Sequence, residues 1–323
     1  VMIKVENLCQ TFGNKKAVDN LSFTVDKGQV LGLIGPNGAG KSTTMRMIAG
    51  YLRPASGRAS LCGIDVWSNP IEAKNRLGYL PESAPLFDDL TVNEFLLYLG
   101  TIRGMGKTEL MNACDRVADL CFLGEVRHQL IDTLSKGYRH RTCLAQSILH
   151  DPPVIIFDEP TDGLDPNQKE EIRNLINHFR QNKAVILSTH ILEEVSAVCT
   201  DILLIDQGKK IFEGTPSAFK ALTPSYGNLL ICCRKPIREE IRKNLSSLNV
   251  VKSVKWSENV PAQLIIVPAE LAAEGVEHLT REIIDCCRHY KTGVLEIRRD
   301  EGSLEKVFRA QTGHRTRKCI ERI

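Results

Sequence analysis

Four short stretches of the chain are almost wholly apolar: VLGLI (Val30–Ile34), VIIF (Val154–Phe157), AVILS (Ala184–Ser188) and ILLID (Ile202–Asp206). They are rich in β-branched residues and show little polar alternation. Strands buried on both faces read this way, so the runs predict a parallel or mixed sheet covered by helices. Between two of them, EEIRNLINHFR places Ile172, Leu175, Ile176 and Phe179 on one helical face, as a covering helix requires. Upstream, IKVENLCQTF and AVDNLSFTVDKG alternate, which predicts amphipathic strands of a flanking antiparallel sheet. From about residue 88 to 150 the period turns helical, in TVNEFLLYLGTIRG and KTELMNACDRVADLCFL. The pattern as a whole predicts an α/β core carrying a helical insertion.

After Thr223-Pro224-Ser225-Tyr226-Gly227 the pattern changes. NLLICCR reads as a strand, PIREEIRKNLSSL as a helix, VVKSVKW and AQLIIVP as strands, VEHLTREIIDCCRHY as a helix and TGVLEIRR as a strand. The order βαββαβ is that of a small α+β ferredoxin-like unit. A helix SLEKVFRAQ follows, then the basic tail HRTRKCIERI. The expected organisation is a large domain over residues 1–222, an accessory domain over 228–312 and a tail over 313–323. The tail reads as a frayed, solvated end. Attraction to an anionic membrane surface, at about 1 kcal/mol per basic residue, is the alternative.

The segment Gly35-Pro36-Asn37-Gly38-Ala39-Gly40-Lys41-Ser42 fits G-x-x-x-x-G-K-[ST]. It follows an apolar run and opens the helical stretch that begins at Thr43. Glycines let backbone N–H groups wrap a phosphate, and a helix N-terminus adds partial positive charge. Lys41 is then expected at the β- and γ-phosphates of a nucleotide, with Thr43 close by and the Ser42 hydroxyl on Mg²⁺. A plain glycine-rich turn explains neither the Lys-Ser pair nor the flanks. Asp158-Glu159 closes the run VIIF, so both carboxylates stand at the carboxyl edge of the predicted sheet, where ligands of α/β folds bind. Asp158 suits a metal-holding role. Glu159 is then free to act as general base on water. His190 follows AVILS and is placed to hydrogen-bond a γ-phosphate, although a histidine after a strand is often structural.

LSKGY (Leu134–Tyr138) looks like a second anion site, because Ser135 and Gly137 stand just before the helical stretch RHRTCLAQSILH. Its bland reading is an N-cap serine. Its functional reading places Ser135, Lys136 and Gly137 on a nucleotide held by a second copy. The helix belongs to the insertion, away from the chain's own phosphate loop. Two copies facing head to tail would then sandwich two nucleotides.

Composition narrows the partners. The chain has 323 residues with 42 basic and 39 acidic side chains, a net charge of +3, which is too balanced for a dedicated nucleic-acid binder. Its 11 cysteines show no C-x-x-C spacing, so neither a zinc site nor a redox motif is expected and a reducing compartment is. VMIKVENL has no charged region followed by a long apolar one, so no signal peptide is expected. No stretch approaches the roughly 20 apolar residues that span a bilayer.

Phosphate loop, helical insertion, LSKGY, Asp-Glu, TDGLDP (Thr161–Pro166) and His190 occur in that order. Over roughly the first 220 residues this set resembles the nucleotide-binding subunits of ATP-binding-cassette (ABC) transporters. The resemblance implies a P-loop NTPase core with a helical insertion and flanking antiparallel strands. It implies ATP and Mg²⁺, ATP hydrolysis coupled to transport, a second ATPase subunit and a separate integral-membrane permease. It places the chain in the cytoplasm, peripheral on the inner face of the cell membrane. It puts Asp165 in the D-loop, which crosses the dimer seam, and Phe12 where an aromatic stacks on adenine, with a core aromatic as the alternative. Two departures stand out. Lys136 and Tyr138 replace residues of the usual Leu-Ser-Gly-Gly-Gln signature, and Glu82 stands where the family has a glutamine that contacts Mg²⁺ and water. A carboxylate can ligate Mg²⁺ too, but it adds negative charge beside the γ-phosphate. These departures, YLPE in particular, and the C-terminal extension resemble the branch serving ABC-2-type exporters, including gliding-motility-like and multidrug-export ATPases. The competing reading is a soluble ABC-type ATPase acting on ribosomes or DNA. Such proteins carry two cassettes or a long coiled-coil or zinc insertion, and the sequence shows neither.

Overall fold

A computed structural model describes residues 1–83, 85–234, 237–256, 262–269, 273–290 and 292–313. The described chain divides into two compact units, Val1–Pro216 and Ser217–Gly313.

The first unit is built on two sheets. Strands β1 (Ile3–Phe12), β2 (Lys15–Val25), β4 (Ser56–Leu61) and β5 (Ile64–Asp65) form the flanking sheet in the order β2-β1-β4-β5, with antiparallel pairing throughout. The central sheet has six strands: β3 (Val30–Ile34), β6 (Leu77–Leu80), β7 (Val154–Asp158), β8 (Ala184–Ser188), β9 (Asp201–Asp206) and β10 (Lys209–Gly214). Its order is β10-β9-β3-β8-β7-β6. All pairings are parallel except the edge pair β9–β10. Every residue of β3, β7 and β8 is buried, which is why these strands read as unbroken apolar runs.

Helix α1 (Lys41–Ile48) lies between the sheets and contributes Met45, Met47 and Ile48 to one core with Ile3, Leu8, Leu61, Ile156 and Ile186. Each such side chain contributes about 1.5–3 kcal/mol by leaving water. Short α2 (Pro70–Asn75) precedes β6. The helical insertion comprises α3 (Val92–Ile102), α4 (Lys107–Leu120) and α5 (Lys136–Ile148). Thr91 and Glu94 start α3 with a reciprocal cap: Thr91 Oγ1 accepts from the Glu94 N–H at 3.2 Å, and Glu94 Oε2 accepts from the Thr91 N–H at 2.8 Å. Those hydrogen bonds hold the Glu94 carboxyl below its ordinary pKa. Helices α6 (Pro166–Arg180) and α7 (Leu192–Val198) complete this unit. The face of α6 that is buried is Ile172, Leu175, Ile176 and Phe179, the stripe its periodicity predicts.

The second unit begins within α8 (Pro216–Ala221), earlier than the change of sequence pattern. Thr223 explains why. Its Oγ1 accepts from the Ser303 N–H at 3.0 Å, and Gly302 approaches the Lys220 carbonyl so closely that a Cβ would collide with it. Strands β11 (Leu229–Cys233), β12 (Val251–Trp256), β13 (Gln263–Pro268) and β14 (Val294–Arg299) form an antiparallel sheet in the order β12-β13-β11-β14. Helices α9 (Glu239–Ser246) and α10 (Ala273–His289) complete the βαββαβ order. Ile241, Leu245, Leu279 and Ile283 from the helices pack with Leu229, Ile231, Leu264 and Ile266 from the sheet. Helix α11 (Leu304–Thr312) follows. Beyond Gly313 the predicted basic tail lies outside the described residues.

Candidate functional site

Three parallel strands deliver the candidate chemistry to one edge of the central sheet. The loop after β3 turns into α1 through Gly40, whose φ of +111° is left-handed. A Cβ at Gly40 would collide with the Ala17 carbonyl, so only glycine lets the loop pass β2. Lys41 opens α1 and is 7% exposed. Its Nζ donates to the carbonyls of Gly35 at 2.7 Å and Pro36 at 3.3 Å. Burial pushes the lysine pKa down, and the charges of Glu159, Asp158 and Glu82 oppose that shift. The three carboxylates keep the buried Lys41 ammonium charged, and that cation and the loop N–H groups are what can hold phosphate.

Asp158 ends β7 and is 2% exposed. Its Oδ1 accepts from Ser188 Oγ at 2.6 Å and lies 3.4 Å from Ser42 Oγ, the weaker donor. Ser188 ends β8, and its Oγ also accepts from the Glu159 N–H at 3.0 Å. Glu159 itself leaves the strand with a φ of +53°. Left-handed backbone at a non-glycine residue costs about 1–2 kcal/mol and gathers at functional sites. Here the turn separates the two carboxylates. Asp158 stays inside against Ser42 and Ser188, while Glu159 Oε2 reaches His190 Nδ1 at 2.6 Å.

A cavity of about 530 Å³ is lined by Phe12, by Asn37 to Thr43, and by Glu82, Glu159 and His190 among others, while Gly35, Pro36, Asp158 and Ser188 are not among its lining residues. That volume is in the range of small-molecule sites. Phe12 is 53% exposed, so it is a wall of the cavity rather than a core aromatic. The hydroxyl of Ser42 and the carboxylate of Asp158 are hard oxygen donors. They fit Mg²⁺, which takes one or two protein ligands together with phosphate oxygens and water.

Four wall or anchor residues escape sequence reasoning. Lys15, Ala17 and Asp162 line the cavity because β2 and the loop after Glu159 pass close to it. Ser188 orients both acidic residues, and its signal was a hydroxyl in LSTH directly beside the candidate histidine.

Ser135, Lys136, Gly137 and Asp165 do not line this cavity. Ser135 is the N-cap of α5, and its Oγ accepts from the Tyr138 N–H at 3.4 Å. The helix starts at Lys136, so Gly137 lies in its first turn rather than ahead of it, because the serine cap lets the backbone turn early. Asp165 caps α6 by accepting from the Gln168 N–H at 2.9 Å. Lys136 and Gln168 then link the two helix starts. The Lys136 ammonium lies over Gly163, and the Gln168 amide lies where a Cβ on Gly137 would meet it at 2.6 Å.

A family model described as ABC transporter matches residues 18–162, and an AAA-domain model matches residues 129–196. The Nod factor export ATP-binding protein I of Burkholderia lata is 37% identical over 220 residues, covering 67% of this chain and 71% of that protein. The chain belongs to the ABC transporter ATP-binding family. It is an ABC ATPase, a nucleotide-binding subunit of a transporter. The linearmycin resistance ATP-binding protein LnrL of Bacillus subtilis is 28% identical over 322 residues, covering 98% of this chain and all of that protein, so its likeness runs through the second unit. A solved structure titled as the ATP binding subunit of an ABC transporter superposes with a TM-score of 0.64 at 27% identity, over 68% of this chain and 92% of that one. Among the described residues no helix of this ABC ATPase is long and apolar enough to cross a membrane.

Proposed function

We propose that this ABC ATPase powers an ABC-2-type exporter by closing head to tail on a second ATPase subunit around ATP. The observation that carries the reading is the split site. The phosphate loop, Glu159 and His190 share one cavity, whereas the capped helix end at Ser135 and the α6 start at Asp165 lie off it. A second copy turned head to tail supplies the missing helix end. ATP sits with its adenine on Phe12 and its phosphates in the Gly35–Gly40 loop. Lys41 exchanges its two carbonyl contacts for phosphate oxygens. Ser42 and Asp158 would hold Mg²⁺, which would supply charge neutralisation at the phosphates, and Glu82 on the cavity wall would be a further oxygen donor. Glu159 leaves His190 to take the proton of the attacking water, and His190 donates to the γ-phosphate. From the partner, Ser135, Lys136 and Gly137 cover the phosphates while Asp165 aligns the opposing site.

The names of the relatives, Nod factor export and linearmycin resistance, support the export direction. A groove of about 580 Å³ between α3 and the core supports a separate membrane permease. Tyr51, Phe87 and Ile102 are exposed along it, and Arg46, Lys74 and Arg103 rim it. Such a groove suits an amphipathic helix with acidic edges. On this reading the chain works in the cytoplasm on the inner membrane face, with residues 228–312 as an accessory domain.

The test is Glu159→Gln. It keeps ATP binding, loses at least roughly a hundredfold in phosphate release, and forms a dimer by light scattering when ATP is added. Turnover near the wild-type rate removes Glu159 as the base. A monomer at saturating ATP removes the head-to-tail sandwich.

A further inference from the structure

Behind the cavity lies a carboxylate that the hydrolytic scheme does not use. Glu194, in the first turn of α7, is 1% exposed. Its Oε1 accepts from Thr161 Oγ1 at 2.6 Å and its Oε2 from Thr189 Oγ1 at 2.8 Å. Both threonines are buried, and none of the three residues lines the cavity. Their places in the chain give the contact its meaning. Thr161 stands two residues after Glu159, and Thr189 immediately precedes His190. Thr189 Oγ1 also accepts from the Ile191 N–H at 3.0 Å, which fixes the backbone just past the histidine.

A purely structural role at this position is better served by an apolar side chain, as at the neighbouring buried Val195 and Val198. Burying a carboxylate is costly unless its oxygens are well paired. The β7–β8 ladder ends at the pair Asp158–Ser188. Two side-chain contacts join the segments past the ladder's end. One is the Glu159–His190 hydrogen bond, which must open before Glu159 can face water and His190 the γ-phosphate. The other is the Thr161–Glu194–Thr189 bridge, none of whose members lines the cavity.

We propose that Glu194 is a positioning residue that yokes the segment after Glu159 to the segment before His190. It holds their spacing when the direct Glu159–His190 contact opens. The proposal rests on the assignment of Glu159 as base and His190 as phosphate partner. It goes beyond that assignment by naming what keeps the pair in register, and it links the loop leading to Asp165 with the histidine.

The experiment compares Glu194→Ala, Glu194→Gln, Thr161→Val and the double variant Thr161→Val/Glu194→Ala in the full chain. Phosphate release gives kcat and KM, and titration with a fluorescent ATP analogue gives affinity. Glu194→Ala is expected to lower kcat about tenfold or more while affinity stays within about twofold, because the phosphate loop is untouched. Glu194→Gln recovers most of that loss, since threonine hydroxyls can donate to its carbonyl and accept from its amide. Thr161→Val lowers kcat and adds nothing further in the Glu194→Ala background, as members of one bridge behave. Should Glu194→Ala not fold, Thr161→Val, which keeps shape and loses one hydroxyl, decides alone. Wild-type kcat in both Glu194→Ala and Thr161→Val overturns the yoke. So does a parallel loss of affinity and kcat, or a Glu194→Gln as impaired as the alanine variant. Glu159→Gln runs alongside. If it turns over normally, the base assignment fails and this inference with it. If it is inactive while Glu194→Ala is fully active, the yoke alone fails.

Discussion

Ser188 is the residue on which the arrangement of the two acidic side chains depends most directly. It is wholly buried, its Oγ donates to Asp158 Oδ1 at 2.6 Å and it accepts from the Glu159 N–H at 3.0 Å. Ser188→Ala removes one atom and both contacts. The Glu159 N–H keeps a second partner, the Ser188 carbonyl at 3.3 Å, so the larger loss falls on Asp158. That carboxylate is left with Ser42 Oγ at 3.4 Å, a long contact. A hydrogen bond to a buried charge is worth about 1.5–3 kcal/mol. In a domain of this size each kcal/mol moves the melting temperature by about 2–4 °C. Ser188→Ala is therefore expected to melt roughly 3–12 °C lower by scanning calorimetry. If the same energy is lost from positioning Asp158 in the transition state, phosphate release falls roughly ten- to hundredfold. Unchanged melting together with turnover within about twofold of wild type would refute the view that this hydroxyl orients the site.

Three further expectations follow from particular contacts. Gly40→Ala forces a Cβ into the Ala17 carbonyl at a left-handed φ, so the variant loses ATP binding in a nucleotide titration. Glu82→Gln removes a negative charge from the cavity wall and is expected to tighten ATP binding a few-fold at low ionic strength, measured by the same titration. Burial, first, and the Arg103 charge push the His150 pKa down to about 4. The folded state therefore stays unprotonated where the unfolded chain takes up a proton, so stability is retained above about pH 6.5 and lost as pH falls towards about 4, by at most about 3 kcal/mol. His150→Gln flattens that window in calorimetry across the pH range.

The central sheet was legible because burial on both faces leaves no polar alternation, and VIIF and AVILS show none. The phosphate loop and the Asp158-Glu159 pair were legible because their chemistry needs fixed residue types at fixed spacing. Residues that reach the cavity through tertiary proximity carry no local signal. Lys15 and Ala17 are ordinary strand residues until the loop after β3 passes them. In LSTHILEEV the two consecutive glutamates look alike, yet Glu193 faces solvent and Glu194 is buried between two threonines. The sequence puts Ser135 and Gly137 ahead of the helix, whereas the Ser135 cap starts α5 at Lys136 and takes Gly137 into its first turn. The first boundary of the second unit fell early for a similar reason, since the link from Thr223 to Ser303 spans most of that unit's length and leaves no mark on composition.

The measurement that bears most directly on the central claim is capture of the partner. Tagged Glu159→Gln, trapped with ATP, is recovered from whole cells solubilised in mild detergent, and the co-purifying proteins are identified by mass spectrometry. The account predicts a multi-spanning membrane protein in stoichiometric amount, lost when Tyr51 and Phe87 of the groove are replaced by aspartate. Ribosomal or DNA-repair proteins without any membrane protein would contradict it.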